Sequence, residues 1–315
     1  MSFSSAVCAL AWLISTLGLW ASDPARPATK LRVVCSFLPL QSHAAAIAGE
    51  LAEVEQLLTK DAAPHESQLT PHHVARLVRA DLFIINGIGM EDWIRRDLLK
   101  EAAPNLRVVD TSVGLSLRTS PARLLDDVAH RHASAQDACG AHGKNPHVWL
   151  DPQLARQQAN VILQALQSAD PRNHDAYAAN ARIYDLQLLA LHHEFAAILK
   201  PLPRRNLVTL HDAFPYLASR YELNYVGYVA EFPEKDPTPQ ELARLVTVIR
   251  STQTGVLFAE EGYASGLLRD IARQTGAHVA SLDTLEIGQG GSSVYCQRMR
   301  ANLVKLKEAF GEPLR

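Results

Sequence analysis

Four side chains able to bind a metal ion stand at comparable places in the 315-residue sequence: His65, His147, His211 and Asp283. His211 and Asp283 directly follow strand-like runs, and His65 follows one after a short loop. Ligands bind open α/β sheets outside the carboxyl ends of the strands. Three imidazoles and a carboxylate can fill the tetrahedral shell of Zn²⁺. Since two of these residues come from each half of the chain, we predict a metal site between two lobes.

The spacing of these residues is too wide for a local zinc finger. Successive candidates are 82, 64 and 72 residues apart, so the tertiary structure would have to assemble the site. Spacing alone is a weak signal, and each histidine taken singly is more readily explained as a surface or core residue. The fourth position stays open between Asp283, a glutamate and water.

Strand-like and helix-like segments alternate along the chain, which favours βαβ units and mostly parallel sheets. The predicted strands are 31–37, 54–58, 81–86, 106–110, 206–210, 225–229, 255–259 and 277–282. The predicted fold is α/β, with two similar lobes whose sheets are flanked by helices.

A long helical run separates the two halves. Its spacing predicts a rigid connecting helix over residues 171–200, and a run of about 28 residues would extend about 42 Å. The predicted domains are an N-terminal lobe (30–170), this helix and a C-terminal lobe (204–315). Before that helix, Asp151 and Pro152 form a cap and first-residue pair that fixes a helix start just after His147.

Composition excludes some functions. The net charge of −2 gives no broad reason to expect nucleic-acid binding, and no internal apolar run reaches the ~20 residues of a membrane span. The apolar run 6–21 reads as a secretory signal cut near Ala21, although residues 1–5 lack Lys and Arg. An uncleaved anchor or a misplaced start codon is the alternative.

Removing that signal leaves Cys35, Cys139 and Cys296, an odd number that gives no disulfide framework. Cys35 fits a buried strand. Pairing of Cys139 with Cys296 stays open.

The residue sequences of several motifs carry more information than the spacing of the four candidate ligands. Together they resemble the metal-binding solute-binding proteins of zinc and manganese ABC transporters, in order and over essentially the whole mature chain. The motifs are Pro64-His65-Glu66 with Thr70-Pro71, Asn145-Pro146-His147-Val148-Trp149-Leu150-Asp151-Pro152, His211-Asp212-Ala213-Phe214-Pro215-Tyr216-Leu217, and Ser281-Leu282-Asp283-Thr284-Leu285.

This resemblance implies two α/β lobes joined by a long rigid helix, with the metal between them bound by His65, His147, His211 and Asp283. Members resembling manganese binders carry a carboxylate at the third position, where this chain has His211. Imidazole suits Zn²⁺ better than Mn²⁺, which favours zinc. The implied protein is a periplasmic monomer that delivers zinc to an ABC-transporter permease, with a periplasmic metallochaperone as a further partner.

One segment departs from the zinc-binding members, many of which have a long His-rich loop before the second ligand. Here residues 126–144 carry only His130, His132 and His142. They could form a weak metal-collecting arm or a solvated loop with incidental histidines.

A manganese- or iron-binding member of the same fold is the first alternative, and an adhesin-like surface role is another. A zinc hydrolase would need a bound water and a base such as Glu66 or Glu260. Because no His-Glu-x-x-His motif occurs, the sequence favours a binding protein over an enzyme.

Overall fold

A computed structural model describes residues 30–119, 143–203, 205–229, 238–261 and 266–311. The predicted signal segment, Cys139 and the three histidines of the 126–144 loop lie outside these residues. Within them, no helix has both the length and the apolar character needed to cross a membrane.

The first lobe is built on a four-stranded parallel sheet in the order β2-β1-β3-β4. Its strands are β1 (Leu31–Cys35), β2 (Ala52–Gln56), β3 (Leu82–Ile85) and β4 (Arg107–Asp110), and its helices are α1 (Leu38–Ala48), α2 (Pro71–Leu77) and α3 (Arg96–Ala102). The burial of β3 on both faces fits a parallel strand covered by helices.

The second lobe repeats this arrangement in the order β6-β5-β7-β8, again all parallel. Its strands are β5 (Asn206–Thr209), β6 (Asn224–Tyr228), β7 (Val256–Glu260) and β8 (His278–Leu282). The helices among its described residues are α6 (Pro215–Arg220), α7 (Pro239–Ser251), α8 (Gly266–Thr275) and α9 (Val294–Gly311). The predicted α/β fold with two similar lobes is therefore confirmed.

Two helices lie between the sheets in sequence. Helix α4 (Pro152–Ala169) begins where predicted, because the Asp151 carboxylate accepts a hydrogen bond from the Gln153 amide at 2.9 Å. After a short 3-10 turn (Pro171–Asn173), α5 (His174–Leu199) runs for 26 residues, about 39 Å at 1.5 Å per residue. The expectation of a long connecting helix after Pro171 is confirmed.

The main hydrophobic core runs through both lobes and includes buried residues of α5. Phe37 and Trp149 meet edge to face at a centroid distance of 4.9 Å, and Tyr295 donates a hydrogen bond to the Trp149 carbonyl at 2.7 Å. The Trp149 indole donates to the Thr284 carbonyl at 2.8 Å. The loop that carries His147 is thus fixed to the second lobe by buried contacts.

Candidate metal site

Three histidines and one glutamate converge where the carboxyl ends of the two sheets face each other. His65 lies in a 3-10 turn (Pro64–Glu66), and His147 immediately precedes another (Val148–Leu150). His211 follows β5 after one residue, and Glu286 lies four residues beyond β8. One nitrogen or oxygen from each of the four lies within 4.8 Å of the others.

The separations within this group fit a single small cation. The Nε2 atom of His147 lies 3.2 Å from that of His65 and 3.3 Å from that of His211. The Oε1 atom of Glu286 lies 2.9 Å from the Nε2 of His147, 3.7 Å from that of His65 and 3.9 Å from that of His211. Ligands held tetrahedrally at about 2.0–2.1 Å from Zn²⁺ are about 3.3–3.4 Å apart. The five measured separations between these ligand atoms are shorter than this tetrahedral value in some pairs and longer in others.

Glu286 is the strongest sign that a cation belongs here. Its side chain is 1% exposed, and among the described residues neither carboxylate oxygen has a hydrogen-bond partner of acceptable geometry. A buried carboxylate without hydrogen-bond donors is costly unless a positive charge faces it.

His147 is oriented by an amide. Its Nδ1 lies 3.0 Å from Asn145 Oδ1, while the Nδ2 of Asn145 donates to the carbonyl and the carboxylate of Asp212. These donations fix the Asn145 amide so that its oxygen accepts the proton of Nδ1. The lone pair of Nε2 then faces the site. Burial lowers the pKa of His147 to about 4, although Glu286 acts in the opposite direction.

His211 is oriented by a carboxylate. Glu260, the last residue of β7, accepts a hydrogen bond from the His211 amide at 2.9 Å and places Oε2 2.5 Å from the ring Nδ1. Burial pulls the pKa of His211 down, but the charges of Glu260 and Glu286 outweigh burial and raise it to about 9. A second carboxylate that holds the far nitrogen of a ligand histidine is a common feature of metal sites.

Comparison with known proteins decides the family. Residues 33–309 match the family described as zinc-uptake complex component A, periplasmic. The chain belongs to this ZnuA family. Its members are metal-binding solute-binding proteins that work with ABC-transporter permeases, and the matched residues include all four members of the cluster.

The relatives of this ZnuA-family chain differ in the metal that they are named for. The chain is 28% identical to the high-affinity zinc uptake system protein ZnuA of Bacillus subtilis, over 89% of this chain and 88% of that protein. It is also 28% identical to the iron-binding protein YfeA of Yersinia pestis, over 97% and 94%. The solute-binding protein FpvC of Pseudomonas aeruginosa, solved with Mn²⁺, is 25% identical, covers 90% of this chain and 99% of its own, and superposes with a TM-score of 0.76.

Asp283 is placed differently from the sequence expectation, because its carboxylate is not among the converging atoms. Arg298 of α9 donates to both of its oxygens, and Oδ1 also accepts a hydrogen bond from the Leu285 amide at 2.8 Å. The hydrogen bond from the Leu285 amide closes a turn in which Leu285 has a φ of 60°. The turn directs Glu286 toward the histidines, so Asp283 shapes the segment that presents Glu286.

Four further polar residues lie outside the converging group. Glu260 contacts a histidine of the cluster, and Asp212 acts through Asn145, so neither belongs to the converging group. His73 caps the start of α2, whereas His192 contacts the Tyr221 hydroxyl. Glu286 was missed because no motif marks it. Its nearness to the end of β8 was the available signal.

Proposed function

We propose that the chain is an exported Zn²⁺-binding protein that captures zinc with His65, His147, His211 and Glu286. We further propose that it acts in the periplasm as a monomer and delivers the ion to an ABC-transporter permease, with a metallochaperone as a further partner. The observation that carries the proposal is the buried Glu286 carboxylate, which lacks a hydrogen-bond partner among the described residues and faces three imidazole nitrogens at 2.9, 3.7 and 3.9 Å. The family description and the apolar 6–21 segment support the location.

Three nitrogen donors and one oxygen donor favour zinc over manganese. Mn²⁺ prefers oxygen ligands, whereas imidazole suits Zn²⁺ and Fe. Because YfeA is named for iron and FpvC was solved with Mn²⁺, the runner-up function is binding of one of those metals.

A binding role fits the donor set better than hydrolysis. Catalytic zinc sites keep one position open for water. In the proposed site Glu286 fills the fourth position, and Glu260, the base considered from the sequence, contacts His211. His65 is the most exposed of the four, with 31% of its side chain accessible, so the ion would enter past it.

The proposal is tested by competition of Zn²⁺ and Mn²⁺ for the purified, metal-free chain against a chelator. We expect Zn²⁺ to bind more tightly. Replacing His211 by Ala or Glu286 by Gln should weaken zinc binding by more than about a hundredfold, the upper end of the loss caused by groups that only support a ligand. Asp283→Asn should weaken it less. His193→Ala, on α5 and outside the cluster, is the control.

Tighter binding of Mn²⁺ would replace zinc by the runner-up metal. Zinc binding that survives His211→Ala would disprove the ligand set. A larger loss in Asp283→Asn than in Glu286→Gln would return the fourth position to Asp283, as the family resemblance implied.

A further inference from the structure

The segment that carries Glu286 belongs to the second lobe in sequence but is bonded to the first. The Gly288 amide donates to the Lys60 carbonyl at 2.8 Å, and the Gly291 amide donates to the Ser42 hydroxyl at 3.4 Å. Between these two contacts, the Gln56 side chain of the first lobe also forms hydrogen bonds with the segment. The position of Glu286 is therefore set by both lobes.

The Gln56 amide binds this segment through both its nitrogen and its oxygen. Its Nε2 donates to the Gly288 carbonyl at 2.9 Å, and its Oε1 accepts from the Gly290 amide at 3.0 Å. Both ends of one amide thus engage the backbone of residues 288–290. Gln56 is 7% exposed, so these bonds form away from water, where losing a partner is costly.

The same amide also reaches the segment that leads to His65. Gln56 is the last residue of β2, and its Nε2 donates a second hydrogen bond to the Leu58 carbonyl at 2.9 Å. The chain then runs from Leu58 to the turn that carries His65. One side chain consequently ties together the segments that supply two members of the cluster, one from each lobe.

Close packing leaves this segment little room to shift. A Cβ atom at Gly290 would lie 2.1 Å from Gln41 Oε1, and one at Gly288 would lie 2.5 Å from an Arg298 guanidinium nitrogen. Gly288 also has a φ of +123°, which L side chains rarely adopt. The backbone of these two glycines therefore packs directly against side chains of both lobes.

We propose that Gln56 is a positioning residue for metal retention: it holds the Glu286 segment against the first lobe, so that Glu286 and His65 face the same ion. This inference rests on the proposed function. It assigns to Gln56 control over how tightly Zn²⁺ is held, exerted through Glu286 and without direct contact with the ion.

The test compares the zinc dissociation constants of the full chain and of Gln56→Met, which keeps the size of the side chain and removes its hydrogen bonds. We expect about a tenfold weaker complex, in the range found for groups that support metal ligands. Gln41→Met is the matched control, because Gln41 is buried against the same segment and its Oε1 has no hydrogen-bond partner among the described residues. It should leave zinc affinity unchanged.

A double-mutant cycle separates positioning from general loss of structure. If Gln56 acts through Glu286, then Gln56→Met should have little further effect on zinc affinity in a Glu286→Gln background. An equal loss in both backgrounds, or wild-type affinity in Gln56→Met, would overturn the proposal. Failure of the wild-type chain to bind Zn²⁺ would instead refute the proposed function, and this inference with it.

Discussion

His147 and His211 are both buried in the site, yet their pKa values shift in opposite directions. Both are buried, with side chains 3% and 9% exposed. His147 rests on the neutral amide of Asn145, and its pKa falls to about 4. His211 rests on the carboxylate of Glu260, and its pKa rises to about 9. The difference lies in the neighbour, because burial pulls both values in the same direction.

This contrast assigns different roles to the two halves of the site. Near neutral pH, His147 already offers a lone pair from Nε2, so the first lobe is ready to bind a cation. His211 carries a proton until a metal displaces it. The proton then compensates, in the metal-free protein, part of the negative charge of Glu260 and Glu286. A divalent cation that replaces this proton would neutralise the buried carboxylates more fully.

Among tests of this contrast, we expect the largest effect from a substitution that gives His211 a neutral partner, as His147 already has. Glu260→Gln removes the charge that raises the pKa of His211, so burial should prevail and the pKa should fall below 6.5, as measured by NMR titration of the metal-free protein. Above pH 9, where no proton competes for His211 in either protein, zinc affinity should fall by about 10- to 100-fold, because the ring loses its charged partner.

Glu261→Gln is the matched control for that substitution. Glu261 is the next residue, is 44% exposed and pairs with Lys305 on the surface. Its loss should change neither quantity. A His211 pKa that stays near 9 in Glu260→Gln would show that Glu286, and not Glu260, distinguishes the two histidines.

Much of the fold could be predicted from the sequence because its signals are local. Alternating apolar runs, the Asp151-Pro152 helix start and the uninterrupted pattern after Pro171 each depend on neighbouring residues alone, and the structure confirms them. The strand-end rule pointed to His65 and His211, and the helix start at Asp151-Pro152 pointed to His147. Their convergence follows from parallel sheets whose carboxyl ends face each other.

The choice between Asp283 and Glu286 could not be made this way. Both carboxylates follow β8 and are three residues apart, so the strand-end rule does not separate them. The outcome depends on Arg298, which approaches Asp283 from α9, and on the positive φ of Leu285. The Arg298 ion pair is a tertiary contact, and the positive φ of Leu285 is a backbone conformation that leucine rarely adopts. Neither leaves a local mark in the sequence.

The second expected effect is a pH dependence that originates in the second lobe. Below pH 9 the metal-free His211 is protonated, so zinc must displace a proton, and affinity should rise about tenfold per unit between about pH 6 and pH 8. The gain should end as pH passes 9. His147, with a pKa of about 4, should contribute only under strongly acidic conditions. Calorimetry in buffers of different ionisation enthalpy should detect close to one proton released at pH 7, and no release would contradict the assignment.

The smallest expected effect belongs to the neutral half of the site. Tyr225 donates a hydrogen bond at 3.0 Å to Asp212, whose carboxylate in turn accepts from the Asn145 amide that orients His147. Tyr225→Phe removes this hydrogen bond and a second one, between the Tyr225 and Thr209 hydroxyls at 3.0 Å, so the free energy of unfolding should fall by about 2 kcal/mol in denaturant titrations. Zinc affinity should fall less than tenfold, below the range for groups that touch a ligand directly. A loss as large as that of Glu260→Gln would mean that an amide held by a relay is as sensitive as a carboxylate in direct contact, and the contrast between the two histidines would then lie in their charge alone.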